Sequence, residues 1–218
     1  MRLIFATNNK HKISEIRAIL GEKFSPYIFT MSDIGVEVNP DENGKTFLEN
    51  AYIKSNALYI EMKNNNLLED NDFIISDDTG LCIKYLDNAP GIYSSRFMGN
   101  ISQEEKNKKI LDLMKDLDDS ERYAFFITKI VVIEVKRMQD EPKILDFEGK
   151  IEGYIAKKIE KTDGFGYDPI FAVGDYTDIN KDEVKTFSNL GINVKNKISH
   201  RAKALLKFVE YLEKNHNI

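Results

Sequence analysis

Two neighbouring carboxylates, Asp77 and Asp78, are separated from the apolar residues 73–75 by a single serine, Ser76. Adjacent carboxylates repel each other unless a cation or a lysine neutralises them. A short apolar run indicates a buried strand, and ligand crevices in α/β proteins form at strand ends. Hard carboxylate oxygens suit Mg²⁺, which uses one or two protein carboxylates together with substrate phosphates. Residues 76–80 therefore predict a magnesium site at a strand end, and a turn of purely local use is the alternative.

A second polar segment, residues 7–12, separates an apolar run at residues 3–6 from a helical pattern. A loop that leads from a strand into a helix receives free backbone N–H groups and the positive end of the helix dipole. Neutral donors and lysines on such a loop suit a polyphosphate. The candidates are Thr7, Asn8, Asn9, Lys10, His11 and Lys12. The glycines of a Walker loop are missing, so an ordinary solvated turn is the alternative.

Two glycines flank an aromatic ring at Gly164, Phe165 and Gly166, and Tyr167 and Asp168 follow. A ring on such a tight backbone can stay uncovered and stack against a planar base. The Asp168 carboxylate can accept hydrogen bonds from N–H groups of a base. The segment predicts part of a base-binding pocket, and the alternative is a glycine-rich turn with Phe165 folded into the core.

His200 and Arg201 follow Ser199, which can cap the last helix. Their side-chain donors are suitable for binding carbonyl oxygens of a base. A lone histidine is more often structural, so this pair has two interpretations.

Three charged residues lie at or before the long helix that follows Thr46. Glu49 forms a capping-box pattern with Thr46, which favours a structural role over metal binding. Glu42 lies in an irregular segment and is free to face a site. Lys54 falls further along the helix, where most lysines are simply solvated.

The hydrophobic pattern predicts the elements that position these residues. The predicted strands are residues 3–6, 73–75, 81–86, 123–135 and 144–155, the last two joined by a turn around 139–142. The predicted helices follow the loop at 7–12 as far as Gly21, or follow the caps Thr46, Ser102 and Ser199. One apolar face of the helix after Ser102 is expected to comprise Ile110, Leu113, Met114 and Leu117. The fold class is α/β or mixed α+β, with an elongated mixed sheet and flanking helices.

Composition limits the possible functions. The chain has 218 residues, a formal net charge of −5 and one cysteine, Cys82. An acidic chain is not expected to coat DNA or RNA, because phosphate backbones are bound through excess lysine and arginine. One thiol cannot form an internal disulfide. Neither a signal peptide nor a membrane span of about 20 apolar residues is indicated, so a cytoplasmic protein is expected.

Several ordered motifs together carry a resemblance that none of them carries alone. They are T-x-N-x-x-K at 7–12, T-F-x-E-N-A at 46–51, S-D-D-T-G-L at 76–81, P-G-x-Y-S-x-R-F at 90–97, G-F-G-Y-D-P-x-F at 164–171 and S-H-R-x-x-A-L at 199–205. The set resembles the inosine triphosphate pyrophosphatase family over nearly the whole chain. The resemblance implies hydrolysis of ITP, dITP and XTP to the monophosphate and pyrophosphate, with Mg²⁺, by a homodimer. It also implies a single domain of two lobes, with the nucleotide in the cleft between them.

By position, the resemblance also assigns roles to residues. Asp78 would bind metal and serve as catalytic base, with Asp77 beside it and Glu42 as an acidic metal ligand. Phosphate-binding roles fall to Thr7, Asn9, Lys12 and Lys54. The base pocket would comprise Phe165, Gly166, Tyr167, Asp168, His200 and Arg201, and Thr79 is a further substrate contact. Lys195 stands five residues before His200, as in similar proteins, although residues 191–194 depart from their pattern.

Base selectivity has a physical reason in this interpretation. Inosine and xanthine carry a 6-oxo group and an N1–H, whereas adenine carries a 6-amino group and an unprotonated N1. A pocket that donates to the oxygen and accepts from N1–H leaves buried polar groups unpaired when adenine enters, which discriminates by about 10⁴-fold. Two alternatives remain: a pyrophosphatase for modified pyrimidine or methylated nucleotides, as Maf-like proteins are, and a nucleotide sensor without catalysis.

Overall fold

Six strands and six α-helices form the described part of the chain, which is residues 1–136, 141–160, 164–179 and 184–216 of a computed structural model. The strands are β1 (Arg2–Phe5), β2 (Ile28–Thr30), β3 (Asp72–Ile83), β4 (Tyr123–Glu134), β5 (Lys143–Ile155) and β6 (Phe171–Val173). The helices are α1 (Lys10–Phe24), α2 (Phe47–Asn64), α3 (Gln103–Leu113), α4 (Phe187–Leu190), α5 (Ile192–Ile198) and α6 (His200–His216). Residues 139 and 140 of the predicted turn before β5 lie outside the described residues.

All six strands belong to one sheet with the order β2-β1-β3-β4-β5-β6. Strand β1 runs parallel to both β2 and β3, whereas β5 and β6 are antiparallel. This mixed sheet with its helices confirms the predicted α/β fold class. Within the described residues, no helix is sufficiently long and apolar to cross a membrane.

The chain divides into two compact units. The first unit comprises Met1–Asp78, Thr128–Gly149 and Ala202–Ile218, and the second comprises Thr79–Ile127 and Lys150–Arg201. Strands β3, β4 and β5 therefore contribute residues to both units. Each unit contains its own cluster of buried apolar side chains.

The core of the first unit uses both faces of its strands. Successive side chains of a strand point to opposite faces. Phe73 and Ile75 of β3 pack in a cluster with α1 and α6. Ile74 packs in a different cluster, with Leu58 and Met62 of α2. Odd-numbered positions of β3 in this unit therefore face α1 and α6, and even-numbered positions face α2.

The second unit is built around aromatic rings and one buried guanidinium. The rings of Phe126 and Phe171 pack edge to face with their centroids 4.8 Å apart. Arg122 is fully buried and donates to three backbone carbonyls, those of Met114, Ile155 and Ala156. These bonds fix the end of α3 to the end of β5, because a buried guanidinium without acceptors would be costly.

The predicted N-caps of α2 and α3 are confirmed. Thr46 Oγ1 accepts from the backbone N–H of Glu49, and the Glu49 carboxylate accepts from the backbone N–H of Thr46. Ser102 and Glu105 make the same reciprocal box. Each box satisfies backbone donors that have no partner inside the helix.

One detail of the helix predictions is confirmed and one is wrong. Gly21 interrupts the helical backbone of α1 as predicted, with a φ of 72° and a ψ of −174°, and a short segment continues beyond it to Phe24. Glycine tolerates this positive φ because it has no Cβ. Leu113 is 52% exposed, whereas Ile110 and Met114 are fully buried. The buried stripe is therefore narrower than predicted, and Leu113, the last residue of α3, lies outside it.

The largest correction concerns residues 76–80, which lie inside a continuous strand rather than after a strand end. Strand β3 has 12 residues, so the predicted strand at 81–86 is its second half, as far as Ile83. Strand β1 pairs with β3 only up to the partners Phe5 and Ile75. Asp77 and Asp78 therefore follow the last β3 residue that pairs with β1. The sequence prediction also missed the short elements β2, β6, α4 and α5.

A buried carboxylate links α6 to the sheet in the first unit. Glu134 is fully buried, accepts from Tyr211 Oη at 2.6 Å, and lies 3.0 Å from Lys136 Nζ. Burial alone would raise the pKa of Glu134, but the bonds from Tyr211 and Lys136 outweigh it, so the pKa is lowered from its ordinary value of 4.5. A carboxyl with a lowered folded pKa adds stability above its ordinary pKa, and that stability is lost as the pH falls through the folded pKa.

We expect Tyr211→Phe to lower the free energy of unfolding by about 1.5–3 kcal/mol at neutral pH, since it removes a hydrogen bond to a buried charge. The difference from the wild type should shrink as the pH falls below 4.5 and Glu134 is protonated. Urea unfolding at neutral pH and at about pH 3 measures both effects. Tyr85→Phe, at a ring that is 49% exposed, is the control. A difference that does not depend on pH would contradict this role for Tyr211.

Candidate active site

Residues 6–9 connect β1 to α1, and the side chains of Thr7 and Asn9 order this loop. Asn9 is the N-cap of α1, and its Oδ1 accepts from the backbone N–H groups of His11 at 3.0 Å and Lys12 at 3.2 Å. Thr7 Oγ1 accepts from the backbone N–H of Asn9 at 3.2 Å. The exposed residues of the predicted phosphate loop are Asn8, Lys10 and His11. The loop is therefore an ordered turn at the start of α1.

Lys12 projects from the first turn of α1 to the acidic pair. Its Nζ lies 3.1 Å from Asp77 Oδ1. Only 18% of the lysine side chain and 7% of the aspartate side chain are exposed. The ammonium group thus neutralises the first carboxylate of the pair in a largely desolvated setting, where charge attraction is strong.

Lys54 meets the second carboxylate from α2. Its Nζ lies 3.4 Å from Asp78 Oδ1 and 3.3 Å from Glu42 Oε2. Asn50, one turn earlier on α2, donates from Nδ2 to Asp78 Oδ2 at 3.4 Å. Glu42, Lys54 and Asp78 were all predicted site residues, and the first unit brings them together.

The alternation of side chains along β3 explains why the two carboxylates have different lysines. Asp77 is an odd-numbered position and faces α1, which carries Lys12. Asp78 is an even-numbered position and faces α2, which carries Lys54. The same alternation places Phe73 and Ile75 against α1 and Ile74 against α2. Each carboxylate therefore has a cation from its own face of the sheet.

The pKa of Asp78 is raised above its ordinary value. Burial, which disfavours the charged form, is the largest cause, and the positive charges of Lys54 and Lys12 oppose it without cancelling it. A carboxylate with a raised pKa accepts a proton more readily than an ordinary aspartate does. This property suits a general base.

The glycine-flanked segment of the second unit has one exposed ring and one buried ring. Phe165 is 44% exposed, so it is not folded into the core. Tyr167 is buried, donates from Oη to the backbone carbonyl of Ser94 at 2.9 Å, and has a pKa raised to about 12 by burial. Asn107 of α3 donates to the Gly166 carbonyl at 3.1 Å. Phe165 thus remains a candidate stacking surface, whereas Tyr167 anchors the segment.

Asp168 and Lys195 form a buried ion pair in the second unit. Lys195 Nζ lies 2.6 Å from Asp168 Oδ2, and the two side chains are 6% and 7% exposed. The same oxygen accepts from the backbone N–H of Phe165 at 3.1 Å. The structure therefore joins Lys195, whose sequence surroundings are atypical, to the predicted base-reading carboxylate.

His200 and Arg201 begin α6 and are both buried. The His200 imidazole stacks on the ring of Phe126, with centroids 4.6 Å apart and an angle of 15° between the planes. Arg201 Nη2 donates to Thr79 Oγ1 at 3.4 Å. The second unit thus brings Thr79 and Arg201 together, as two predicted substrate contacts.

This chain matches a known protein family over most of its length. The model of the family described as Ham1 matches residues 3–211. The chain belongs to the Ham1 family. The dITP/XTP pyrophosphatase of Caldanaerobacter subterraneus subsp. tengcongensis is 40% identical over 98% of this chain and 97% of its own length. The dITP/XTP pyrophosphatase of Clostridium perfringens is 38% identical over 97% of each chain.

Solved structures of Ham1 proteins have the same fold as this chain. The Ham1 protein of Staphylococcus aureus is 31% identical and has a TM-score of 0.76, over 98% of this chain and 99% of its own. The HAM1 protein of Coxiella burnetii is 32% identical with the same TM-score and coverage. These matches, with the names of the relatives, confirm the resemblance indicated by the sequence motifs.

Several buried polar residues of this Ham1 protein were not predicted from the sequence. Glu15 of α1 is buried three residues after Lys12, on the same helical face. Asn50 directly follows Glu49, and the capping pattern at Glu49 already explained this segment, so Asn50 was not considered as a site residue. Lys106 donates to the Ser95 carbonyl at 2.7 Å, beside Asn107. Such residues were recognisable only as polar residues inside helical patterns, because their partners are distant in sequence.

Proposed function

We propose that this Ham1 protein hydrolyses the damaged purine nucleotides dITP, ITP and XTP to the monophosphate and pyrophosphate. The observation that carries the proposal is the name dITP/XTP pyrophosphatase, which relatives 38% and 40% identical over nearly the whole chain share. The arrangement of lysines and carboxylates in the first unit supports it. The names of the relatives favour neither a pyrimidine-directed pyrophosphatase nor a sensor.

The charges of the first unit suit a triphosphate that arrives with a cation. Three carboxylates, those of Glu42, Asp77 and Asp78, contact the ammonium groups of Lys12 and Lys54. A triphosphate adds negative charge, and the lysines can turn to it only if another cation replaces them beside the carboxylates.

We further propose Mg²⁺ as the cofactor, held by Asp78 and Glu42. Lys54 Nζ lies within 3.4 Å of an oxygen of each, so these carboxylates approach one point from different segments. No group of three or more His, Cys, Asp and Glu side chains among the described residues could hold a metal ion. This donor set fits Mg²⁺, which takes few protein ligands and completes its shell with phosphate and water. When bound, the ion would stabilise charge on the leaving pyrophosphate.

Asp78 would act as the general base of the reaction. Water attacks the α-phosphorus, its proton passes to the Asp78 carboxylate, and the bond from the α-phosphorus to the bridging oxygen breaks as pyrophosphate leaves. The raised pKa of Asp78 favours the proton transfer. A positioned carboxylate base contributes on the order of 10²–10⁴-fold to the rate. Lys12 and Lys54 would bind phosphate oxygens, with Lys12 at the start of a helix that attracts anions.

The second unit would recognise the base. The exposed ring of Phe165 offers a stacking surface, and the Asp168–Lys195 pair offers an acceptor and a cation within 2.6 Å of each other. Asp168 would accept from N1–H of a 6-oxo purine, and donors among Lys195, His200 and Arg201 would bind the 6-oxo group. Adenine would leave these buried groups unpaired, and that mismatch is the basis of selectivity.

A homodimeric assembly and a cytoplasmic location complete the proposal. Both are expected from the resemblance, and a nucleotide-pool enzyme acts where nucleotides are made and used. Light scattering coupled to size-exclusion chromatography would measure the assembly, and a mass of one chain would exclude the dimer.

Pyrophosphate release from ITP, dITP, XTP, dGTP and ATP tests the proposed function. We expect release from ITP, dITP and XTP with Mg²⁺, and about 10⁴-fold lower kcat/KM for ATP. EDTA should abolish release, and added Mg²⁺ should restore it. Modified pyrimidine and methylated nucleotides in the same panel test the first alternative. Binding without release from any nucleotide would instead establish a sensor.

A further inference from the structure

We propose that Asn50 is a positioning residue that orients the Asp78 carboxylate and holds the segment carrying Glu42 beside it. The inference rests on the proposed function, because Asp78 and Glu42 are the carboxylates that the function uses. Asn50 is not predicted to touch substrate. It acts through the two residues that would.

Both the oxygen and the nitrogen of the Asn50 amide form hydrogen bonds. Because the residue is buried, water cannot replace these partners. The residue is 0% exposed. Its Oδ1 accepts from the backbone N–H of Gly44 at 2.9 Å, and its Nδ2 donates to Asp78 Oδ2 at 3.4 Å. Turning the amide over would place oxygen against oxygen at Asp78 and N–H against N–H at Gly44. Chemistry therefore fixes the amide in one orientation.

Gly44 shows how closely the preceding segment packs on the first turn of α2. A Cβ built on Gly44 would lie 2.7 Å from Asn50 Oδ1, 2.7 Å from Glu49 Cβ and 3.0 Å from the backbone nitrogen of Asn50. Real side chains essentially never approach so closely. The backbone two residues after Glu42 is thus held directly against α2, with the Asn50 amide as its acceptor.

One side chain consequently connects Asp78 to the backbone two residues after Glu42. Lys54 contacts both carboxylates, but its flexible stem and point charge fix no direction. The planar amide of Asn50 fixes the direction of one Asp78 oxygen, which leaves the other oxygen toward Lys54. Loss of the amide should therefore misplace the base by a small distance, and a misplacement of about 1 Å can cost about 100-fold in rate.

Three variants test this role. Asn50→Ala removes both bonds. Asn50→Asp keeps an acceptor for Gly44 but presents a carboxylate oxygen to Asp78. Ser55→Ala is the matched control, because Ser55 is equally buried on α2 and, among the described residues, its hydroxyl donates to the carbonyls of Ala51 and Tyr52 in its own helix.

The steady-state kinetics of ITP hydrolysis are the first readout. We expect kcat to fall about 10-fold to 100-fold in both Asn50 variants, with KM changed much less. Ser55→Ala should lose thermal stability but keep its kcat. Wild-type kcat in Asn50→Asp would overturn the link to Asp78, and equal kcat in Asn50→Ala and Ser55→Ala would overturn the whole proposal. Thermal unfolding of each variant confirms that the folded protein is compared.

Binding of Mn²⁺ to the purified protein, measured from the spin-resonance signal of the free ion, is the second readout. We expect Asn50→Ala to weaken Mn²⁺ affinity by about 10-fold, since two ligands lose their alignment, and Ser55→Ala to leave it unchanged. Unchanged affinity in Asn50→Ala would overturn the proposal. This readout does not depend on hydrolysis. If the wild type released no pyrophosphate, the proposed function would fail, while the Mn²⁺ comparison would still decide the role of Asn50.

Discussion

Asp78→Asn is expected to lower kcat for ITP by about 10²–10⁴-fold while substrate still binds. The substitution keeps the size of the side chain and removes its ability to accept a proton from water. It also removes a buried negative charge that Lys54 contacts at 3.4 Å. Single-turnover pyrophosphate release measures the chemical step, and calorimetry with ITP and Mg²⁺ measures binding.

Asp116→Asn provides the control for Asp78→Asn, because the Asp116 side chain is 88% exposed. This variant should have the kcat and the affinity of the wild type. Wild-type turnover by Asp78→Asn would remove Asp78 from the role of base. A loss of binding as large as the loss of turnover would indicate that Asp78 serves only as a metal ligand.

Lys195→Met should sharply reduce the preference for ITP over ATP. The substitution leaves Asp168 buried without its ionic partner, and breaking a buried pair costs about 3–5 kcal/mol. The carboxylate also loses the contact that orients it for a base N–H. We expect the ITP-to-ATP ratio of kcat/KM to fall by about 10-fold to 100-fold from about 10⁴.

The ratio of two substrates on one preparation does not depend on the folded fraction, so the measurement separates selectivity from stability. Lys197→Met is the matched control, because Lys197 lies on the same helix, α5, and is exposed. It should keep both the ratio and the stability of the wild type. An unchanged ratio in Lys195→Met would mean that the pair supports the fold of the second unit but does not read the base.

Patterns with a local cause were predictable from the sequence. The capping boxes at Thr46 and Ser102 depend on side chains three residues apart, and both helices start where predicted. The motif residues Lys12, Asp77, Asp78 and Lys54 were named from sequence, and the first unit brings each lysine into contact with one of the two carboxylates. Local spacing and ordered motifs were sufficient for these features.

The continuation of β3 beyond Ile75 was not predictable, because a run of polar residues in a sequence usually indicates a turn. Asp77, Asp78 and Thr79 break the apolar run at Ile75, which indicated a strand end. The strand continues because Lys12 and Lys54 neutralise the acids from opposite faces. Those lysines lie 65 and 24 positions away, and only tertiary structure brings them close.

The hydrogen-bonding roles of individual polar residues could not be predicted from the sequence either. Tyr167 was predicted to line the base pocket, but its hydroxyl donates to the Ser94 carbonyl and its ring is buried. Asn50 directly follows a capping residue and therefore had a local explanation. Hydrogen bonds with partners 28 or 73 positions distant leave no periodic signal in a sequence.

Because side chains alternate along β3, the number of residues before Asp77 and Asp78 decides which helix each acid faces. Inserting or deleting one residue at 73–76 would exchange the faces of the two acids, so that each would meet the lysine of the other helix. If the acids kept their faces instead, the apolar residues before the change would turn toward the wrong core. Residues added to or removed from the loops around this strand would therefore leave the two acids in place, whereas a change in the number of residues from Asp72 to Asp78 would not.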